Sequence, residues 1–277
     1  MMRAALLAVL FGTGVAVGAS RQDPSSLLAT VGTTVDAFYA RARSIVARET
    51  VTLQPLHPDL RPRGLARVIE YDVRIDWTPP SATITRDLLR RTGHVSGSEA
   101  DPECLDPKPS AYEPLAPLQT ARQPELLFRI AGSERESRRN ITILEYRPRA
   151  PERASITWNG RCGTIAIEGA TVGRVWVDSA TGEVRRVDER LVRRVPFVLP
   201  IEYVRSAAAP RISQTLDRHD VSTRYEAIVF RDPEERITLP VSITATTVID
   251  NGAVPHLLTT HRFSNYRRFI TSGRVVK

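Results

Sequence analysis

Residues 236–269, RITLPVSITATTVIDNGAVPHLLTTHRFSNYRRF, decide the fold of this chain. The first half of this stretch alternates, because mostly polar positions separate the apolar residues Ile237, Leu239, Val241, Ile243 and Ala245. Side chains on a strand point to alternate faces, so this pattern predicts a strand with one buried face and one wet face. Asn251 and Gly252 favour the positive backbone angles of a tight hairpin turn. The stretch therefore predicts two long antiparallel strands of a one-sided sheet.

The same alternation recurs in residues 66–77, where one face carries Ile69, Tyr71, Val73, Ile75 and Trp77. Residues 24–47 instead place apolar side chains at helical spacing, which predicts an N-terminal helix. Residues 123–130 predict a second, short helix, and the chain from residue 140 onward predicts a meander of strands. Together these patterns predict a mainly β (α+β) protein with a single large antiparallel sheet of roughly ten strands.

The N-terminus has the pattern of a cleaved signal peptide over residues 1–19, with Arg3 before an apolar run and small residues at the end. The run is shorter than the about 20 apolar residues that span a bilayer. No cysteine lies near the cleavage point, so we predict no lipobox and no lipid-anchored N-terminus. We therefore predict a periplasmic or secreted protein whose residues 20–277 form one domain without a transmembrane segment.

The formal net charge is +8, and only two of the basic residues, Lys108 and Lys277, are lysines. A basic balance is typical of proteins that bind nucleic acid or anionic surfaces. Here the arginines alternate with acids, as in residues 185–190, which is the pattern of a solvated strand face, and an exported protein has little access to nucleic acid. We therefore predict no nucleic-acid partner.

Two cysteines, Cys104 and Cys162, lie in loop-like sequence, and export would place them in an oxidising compartment. We predict a structural disulfide between them rather than a reactive pair.

The histidines give no convincing catalytic or metal motif. His219 lies among acids in residues 217–220, which we interpret as a loop, and His256 and His261 are five positions apart on a predicted strand, so they face opposite sides. We predict no metal site, no cofactor and no enzymatic activity, with a hydrolase as the third-ranked alternative.

Two segments resemble secreted β-rich bacterial proteins of the lipoprotein-localisation (LolA-like) superfamily. They are residues 173–184, GRVWVDSATGEV, and the closing strand in residues 262–269, RFSNYRRF. The resemblance implies a strongly curved sheet, a half-open barrel, with helices on its concave side and an acyl chain or other apolar ligand between them. The chain departs from a plain carrier because it is longer and adds the loop of residues 93–112.

The resemblance implies a carrier that binds a lipid or acylated ligand without chemistry. The candidate cavity residues are the two apolar ladders, Ile69, Tyr71, Val73, Ile75, Trp77, Ile237, Leu239, Val241 and Ile243. Arg262, Arg267 and Arg268 are candidates for the rim, where they would meet an anionic head group. The same ladders would line a filled core, in which case the alternative is an envelope module that binds another protein.

Overall fold

The computed structural model describes residues 23–78, 81–92, 115–159, 162–167, 169–199, 212–231, 234–250 and 256–268. One helix, α1 (Ser25–Arg41), precedes thirteen strands in this part of the chain. The strands are β1 (Ile45–Leu56), β2 (Arg67–Thr78), β3 (Ser81–Thr92), β4 (Leu126–Glu136), β5 (Arg139–Pro148), β6 (Ser155–Asn159), β7 (Cys162–Ala166), β8 (Thr171–Asp178), β9 (Val184–Leu191), β10 (Val195–Leu199), β11 (Ile212–Arg231), β12 (Glu234–Asp250) and β13 (His256–Arg268).

Eleven strands form one antiparallel sheet in the order β3-β2-β1-β13-β12-β11-β9-β8-β5-β4, and β10 pairs with β11 beside this path. The two ends of the order, β3 and β4, do not pair with each other, so the sheet is curved but not closed. A separate hairpin joins β6 and β7. The predicted architecture, a large open antiparallel sheet with an N-terminal helix on one face, is confirmed.

The sheet has a buried face because apolar residues occupy every second position of neighbouring strands. Ile45 pairs with Ile75 and Val51 pairs with Ile69 between β1 and β2, and all four side chains are buried. The helix covers this face with the stripe predicted from its spacing, of which Val31, Val35, Phe38, Tyr39 and Ala42 are buried. Burying each large apolar side chain contributes about 1.5–3 kcal/mol, so this layer stabilises the curved sheet.

A second apolar cluster lies away from the helix. It combines β10 with β7 and with the far ends of β1, β12 and β13, and its members include Leu53, Ile165, Phe197, Leu216 and Leu257. The small hairpin of β6 and β7 therefore serves as a second cover for the buried face, and the sequence did not predict that role.

Two of the predicted elements are wrong in part. The N-terminal helix ends at Arg41 rather than near residue 47, because Ser44 adopts a positive φ of 54° and the β-branched Ile45 and Val46 begin β1. The second helix predicted at residues 123–130 is only the one-turn 3-10 helix Gln123–Glu125. Residues from Leu126 onward instead pair with β5, since their side chains alternate in strand fashion.

A tight hairpin joins β8 and β9. The backbone N–H of Gly182 donates to the carbonyl of Asp178 at 2.8 Å, and Gly182 has a φ of +70°. The predicted turn at Asn251 and Gly252 lies outside the described residues, although β12 and β13 pair on either side of it. No helix in the described ranges is both long and apolar enough to cross a membrane.

Candidate functional site

A cleft of about 560 Å³ opens between the sheet and the segments that connect its strands. The residues that line it come from the 116–126 segment, from β5, β8 and β9, and from the connections after β5 and β7. The apolar residues that line it are Ala116, Pro117, Leu126, Pro148, Ala150 and Ile167. The polar residues that line it are Arg122, Glu125, Tyr146, Arg149, Glu152, Thr171 and Glu189, and Gly169 completes the lining. We call it the Tyr–Glu cleft. Its volume is within the about 300–1,000 Å³ typical of ligand sites.

The sheet wall of the cleft depends on a row of three residues across neighbouring strands. Tyr146 on β5 is opposite Gly173 on β8, and Gly173 is opposite Glu189 on β9. A Cβ atom on Gly173 would lie 2.2 Å from Cζ of Tyr146, far inside van der Waals contact. The absence of a side chain at Gly173 therefore lets the tyrosine ring lie across β8 and reach Glu189.

The three polar side chains of the sheet wall form one hydrogen-bonded cluster. The Tyr146 hydroxyl donates to Oε1 of Glu189 at 2.6 Å, and the Thr171 hydroxyl donates to the same oxygen at 3.1 Å. Burial raises the pKa of Glu189 above its ordinary value, and the two hydrogen bonds oppose part of that rise. Burial, together with the neighbouring Glu189, also raises the pKa of Tyr146, so its hydroxyl keeps its proton and remains a donor.

The opposite wall is fixed to the helix and to the sheet. The Gln123 side-chain amide donates to the carbonyls of Leu28 at 3.0 Å and Leu118 at 2.9 Å. Gly32 on α1 permits this approach, because a Cβ there would lie 2.7 Å from Nε2 of Gln123. Arg149 donates from Nε to the carbonyl of Pro124 at 2.8 Å. The cleft therefore has two walls that are held at a fixed distance.

A second depression of about 520 Å³ lies beside the β8–β9 hairpin and is lined by Arg139, Asp178, Glu183 and Arg236 among others. Arg139 lies 3.5 Å from Asp178, and Arg236 lies 3.2 Å from Glu183. Because four of its five charged side chains already pair with one another, this depression offers a ligand less than the Tyr–Glu cleft does.

The apolar ladders predicted to line a cavity do not line the Tyr–Glu cleft. Six of their residues are at most 1 % exposed within the apolar clusters: Ile69, Val73, Ile75, Ile237, Leu239 and Ile243. Tyr71 and Val241 are half-buried, and the side chain of Trp77 lies outside the description. Val241 is the extra residue of a bulge, since Arg224 pairs with Ser242 and Tyr225 with Pro240. That these ladders contact a ligand stays a prediction.

The three predicted rim arginines differ in their exposure and in their contacts. Arg262 and Arg267 are exposed, and Arg262 follows the buried His261 on β13, so it points away from the helix. Arg268 is half-buried and donates from Nη2 to the carbonyl of Arg41 at 2.9 Å, and it also pairs with Glu235. That these arginines meet a head group also stays a prediction.

The histidine-containing sequence 217–220 lies in strand β11 rather than in a loop. His219 is buried, and its Nδ1 lies 3.0 Å from the Thr247 hydroxyl. Across the described ranges, no three metal-ligating side chains converge as a metal site requires. Cys104 and the side chain of Cys162 lie outside the description, so the disulfide stays a prediction.

A buried charge cluster also lies on the helix-covered face, and sequence analysis did not identify it. Glu49 on β1 is fully buried and receives two hydrogen bonds from Arg86, at 2.8 and 3.0 Å. Nδ1 of His261 lies 2.7 Å from Oε1 of the same carboxylate. This cluster ties β3 to β1 and β13.

Sequence reasoning also missed the residues of the Tyr–Glu cleft. Glu189 was interpreted as part of a solvated strand face, but it lies on the covered face and lines the cleft. The available signal was Gly173, a glycine inside a strand, since such a glycine often marks the close approach of another group. Tyr146 carried no signal of its own, because an aromatic residue in a strand is ordinary.

The chain matches no protein-family model and no curated protein. Among solved structures it is similar to a LolA superfamily protein from Nitrosomonas europaea, at 10% identity and a TM-score of 0.37, covering 90% of this chain and 97% of that one. It is also similar to a putative outer membrane lipoprotein-sorting protein domain from Vibrio parahaemolyticus, at 12% identity and a TM-score of 0.38, covering 91% and 94%. A DUF1329 family protein from Desulfovibrio piger matches at 13% identity and a TM-score of 0.40, covering 90% and 95%.

The superfamily that the sequence resembles is thus among these matches. At TM-scores below 0.5 the likeness assigns no function to this chain.

Proposed function

We propose that this protein binds one lipid or acylated molecule noncovalently in the Tyr–Glu cleft, outside the cytoplasm and without performing a reaction. The observation that carries the proposal is a two-walled cleft of about 560 Å³ with both apolar and polar lining. Apolar walls with a few convergent polar groups are the usual composition of a small-molecule site. The signal-peptide pattern of residues 1–19 supports the location.

The apolar lining suits an acyl chain. Ala116, Leu126 and Ile167 lie on different segments of the chain, and Ala116 and Ile167 are each 8 % exposed. A CH₂ group gains about 0.8 kcal/mol when it leaves water for such surroundings, so about ten buried methylenes correspond to the about 8 kcal/mol of micromolar affinity.

The polar lining favours binding over catalysis. No histidine is among the residues that line the cleft. Both donors to Glu189 are hydroxyls of high pKa, and neither activates a nucleophile at neutral pH. We therefore assign Glu189 to the recognition of a ligand rather than to acid–base chemistry.

The proposal is tested by filling the cleft. Leu126 lines it, whereas the next residue, Leu127, points to the opposite face of β4 and does not. We expect Leu126→Trp to abolish the binding of a fluorescent acyl probe to the full chain, and we expect Leu127→Trp, the matched control, to retain it. Equal binding by both variants would place the ligand elsewhere.

A second candidate function is the docking of a protein partner on the edge strand β3. Leu88 and Leu89 on this strand are 53% and 46% exposed, next to a bulge opposite Glu70 and Tyr71. An edge strand with exposed apolar side chains is a surface to which another chain can add a strand. Leu88→Lys would remove such an interaction and leave the acyl probe bound.

A further inference from the structure

The arrangement of hydrogen bonds on Glu189 defines the kind of head group that fits the cleft. Both hydroxyl donors, from Tyr146 and Thr171, reach the same oxygen, Oε1. Across the described residues, Oε2 receives no hydrogen bond, and no arginine or lysine forms an ion pair with Glu189. The cleft therefore presents one acceptor oxygen to which a ligand can donate a hydrogen bond in place of water.

We propose that the cleft selects acylated molecules with an uncharged hydroxyl head, such as a monoacyl glycerol or a fatty alcohol, over molecules with an anionic head. This inference rests on the proposed function. A ligand hydroxyl donates a hydrogen bond to Oε2, whereas a carboxylate or phosphate has only acceptors to offer and adds a second negative charge beside the first.

The rest of the cleft does not reverse this preference. Arg149 donates from Nε to the carbonyl of Pro124, and Arg122 lies 3.6 Å from Glu125, so both arginines hold the wall formed by residues 122–125. Glu125 and Glu152 also line the cleft, and with Glu189 the carboxylates outnumber the two arginines. The lining as a whole therefore does not attract anions.

The surroundings of Glu189 disfavour negative charge even on that residue. Burial raises its pKa, which is the expected response of a carboxyl group among apolar walls. A second anion in the same space would meet the same desolvation cost together with repulsion. A neutral head avoids both costs.

The test compares two ligands with one acyl chain, monodecanoyl glycerol and decanoate, in titrations of the full chain at about pH 8. We expect the wild-type protein to bind the glyceride at least about tenfold more tightly, which corresponds to about 1.4 kcal/mol. Equal affinities, or tighter binding of decanoate, would overturn the head-group inference and leave the proposed function standing. Failure of both ligands to bind would overturn the two together.

Glu189→Gln tests the assigned residue. Its amide offers a donor as well as an acceptor and has no charge, so decanoate should bind more tightly and the preference should fall several-fold. The matched control is Glu145→Gln, because Glu145 precedes Tyr146 on β5 and its carboxylate binds Arg174 on the other face of the sheet. An unchanged preference in Glu189→Gln would contradict the role of Glu189. If Glu189→Gln fails to fold, the comparison of monodecanoyl glycerol with decanoate on the wild-type protein still tests the head-group preference.

Discussion

The fit between Gly173 and Tyr146 gives the sharpest prediction about this molecule. In Gly173→Ala the new Cβ would lie 2.2 Å from Cζ and 2.5 Å from the hydroxyl oxygen of Tyr146, and both contacts are far shorter than the about 3.5–4 Å of a favourable contact. The ring therefore has to move by roughly 1.5 Å, and it moves away from Glu189. The substitution should damage the fold and the cleft together.

The expected change in the free energy of unfolding combines two losses and one smaller gain. Overpacking a filled site costs about 1–3 kcal/mol, and a buried hydrogen bond that is left unmade costs about 1–3 kcal/mol. Alanine recovers about 0.4–1 kcal/mol because it restricts the unfolded chain. The net loss is about 3 kcal/mol in the free energy of unfolding, or roughly 6–12 °C in Tm for a domain of this size.

The assay is thermal and urea denaturation of wild type, Gly173→Ala and the control Gly132→Ala. Gly132 lies on β4, and no atom lies within 4 Å of the position that a Cβ would take there, so its substitution should be neutral. In a Tyr146→Ala background the Gly173→Ala cost should nearly vanish, because the clashing ring is gone. If Gly173→Ala costs as little as Gly132→Ala, or costs the same in the Tyr146→Ala background, then the Tyr146 ring does not clash with a Cβ at position 173.

Three further predictions concern other parts of the chain. Arg86→Ala should cost about 3–5 kcal/mol in urea denaturation, because it leaves the buried Glu49 without its main partner, whereas Arg90→Ala, which removes an exposed pair, should cost at most about 1 kcal/mol. If the two substitutions lower the free energy of unfolding equally, the burial of Glu49 does not determine the strength of its ion pair. Cys104→Ser should lower Tm under oxidising conditions only, and an unchanged Tm would disprove the disulfide. The Tm of Glu189→Gln, measured relative to the Tm of wild type, should increase as pH rises. The raised pKa means that protonated Glu189 stabilises the fold below the ordinary value of 4.5, and that this stabilisation is lost as pH rises through the folded pKa. A pH-independent difference in Tm would be inconsistent with that raised pKa.

Much of the sheet could be predicted from the sequence because its strands alternate strictly. The spacing of Ile69, Val73 and Ile75 predicted β2 almost to the residue, and β12 followed in the same way. The helix was predicted too long, because Ile45 and Val46 continue an apolar pattern that suits either a helix or a strand. The spacing of apolar residues alone therefore could not show that the helix ends and the strand begins near Ser44.

The cleft could not be predicted, because its residues become neighbours only through pairing across strands. Tyr146, Gly173 and Glu189 lie on three strands, and only the register between those strands places them in one row. Glu189 also follows a run of charges that is typical of a solvated face. A pattern along one strand carries no information about the strand beside it.

If the proposed function is correct, the Tyr–Glu cleft holds an acylated molecule. Native mass spectrometry of the full chain, purified from the cell envelope of its native host and followed by organic extraction, tests this most directly. We expect one bound lipid with an acyl chain and an uncharged hydroxyl head, present on wild type and Leu127→Trp and absent from Leu126→Trp. A wild-type protein that is empty, and that takes up neither monodecanoyl glycerol nor decanoate, would contradict it.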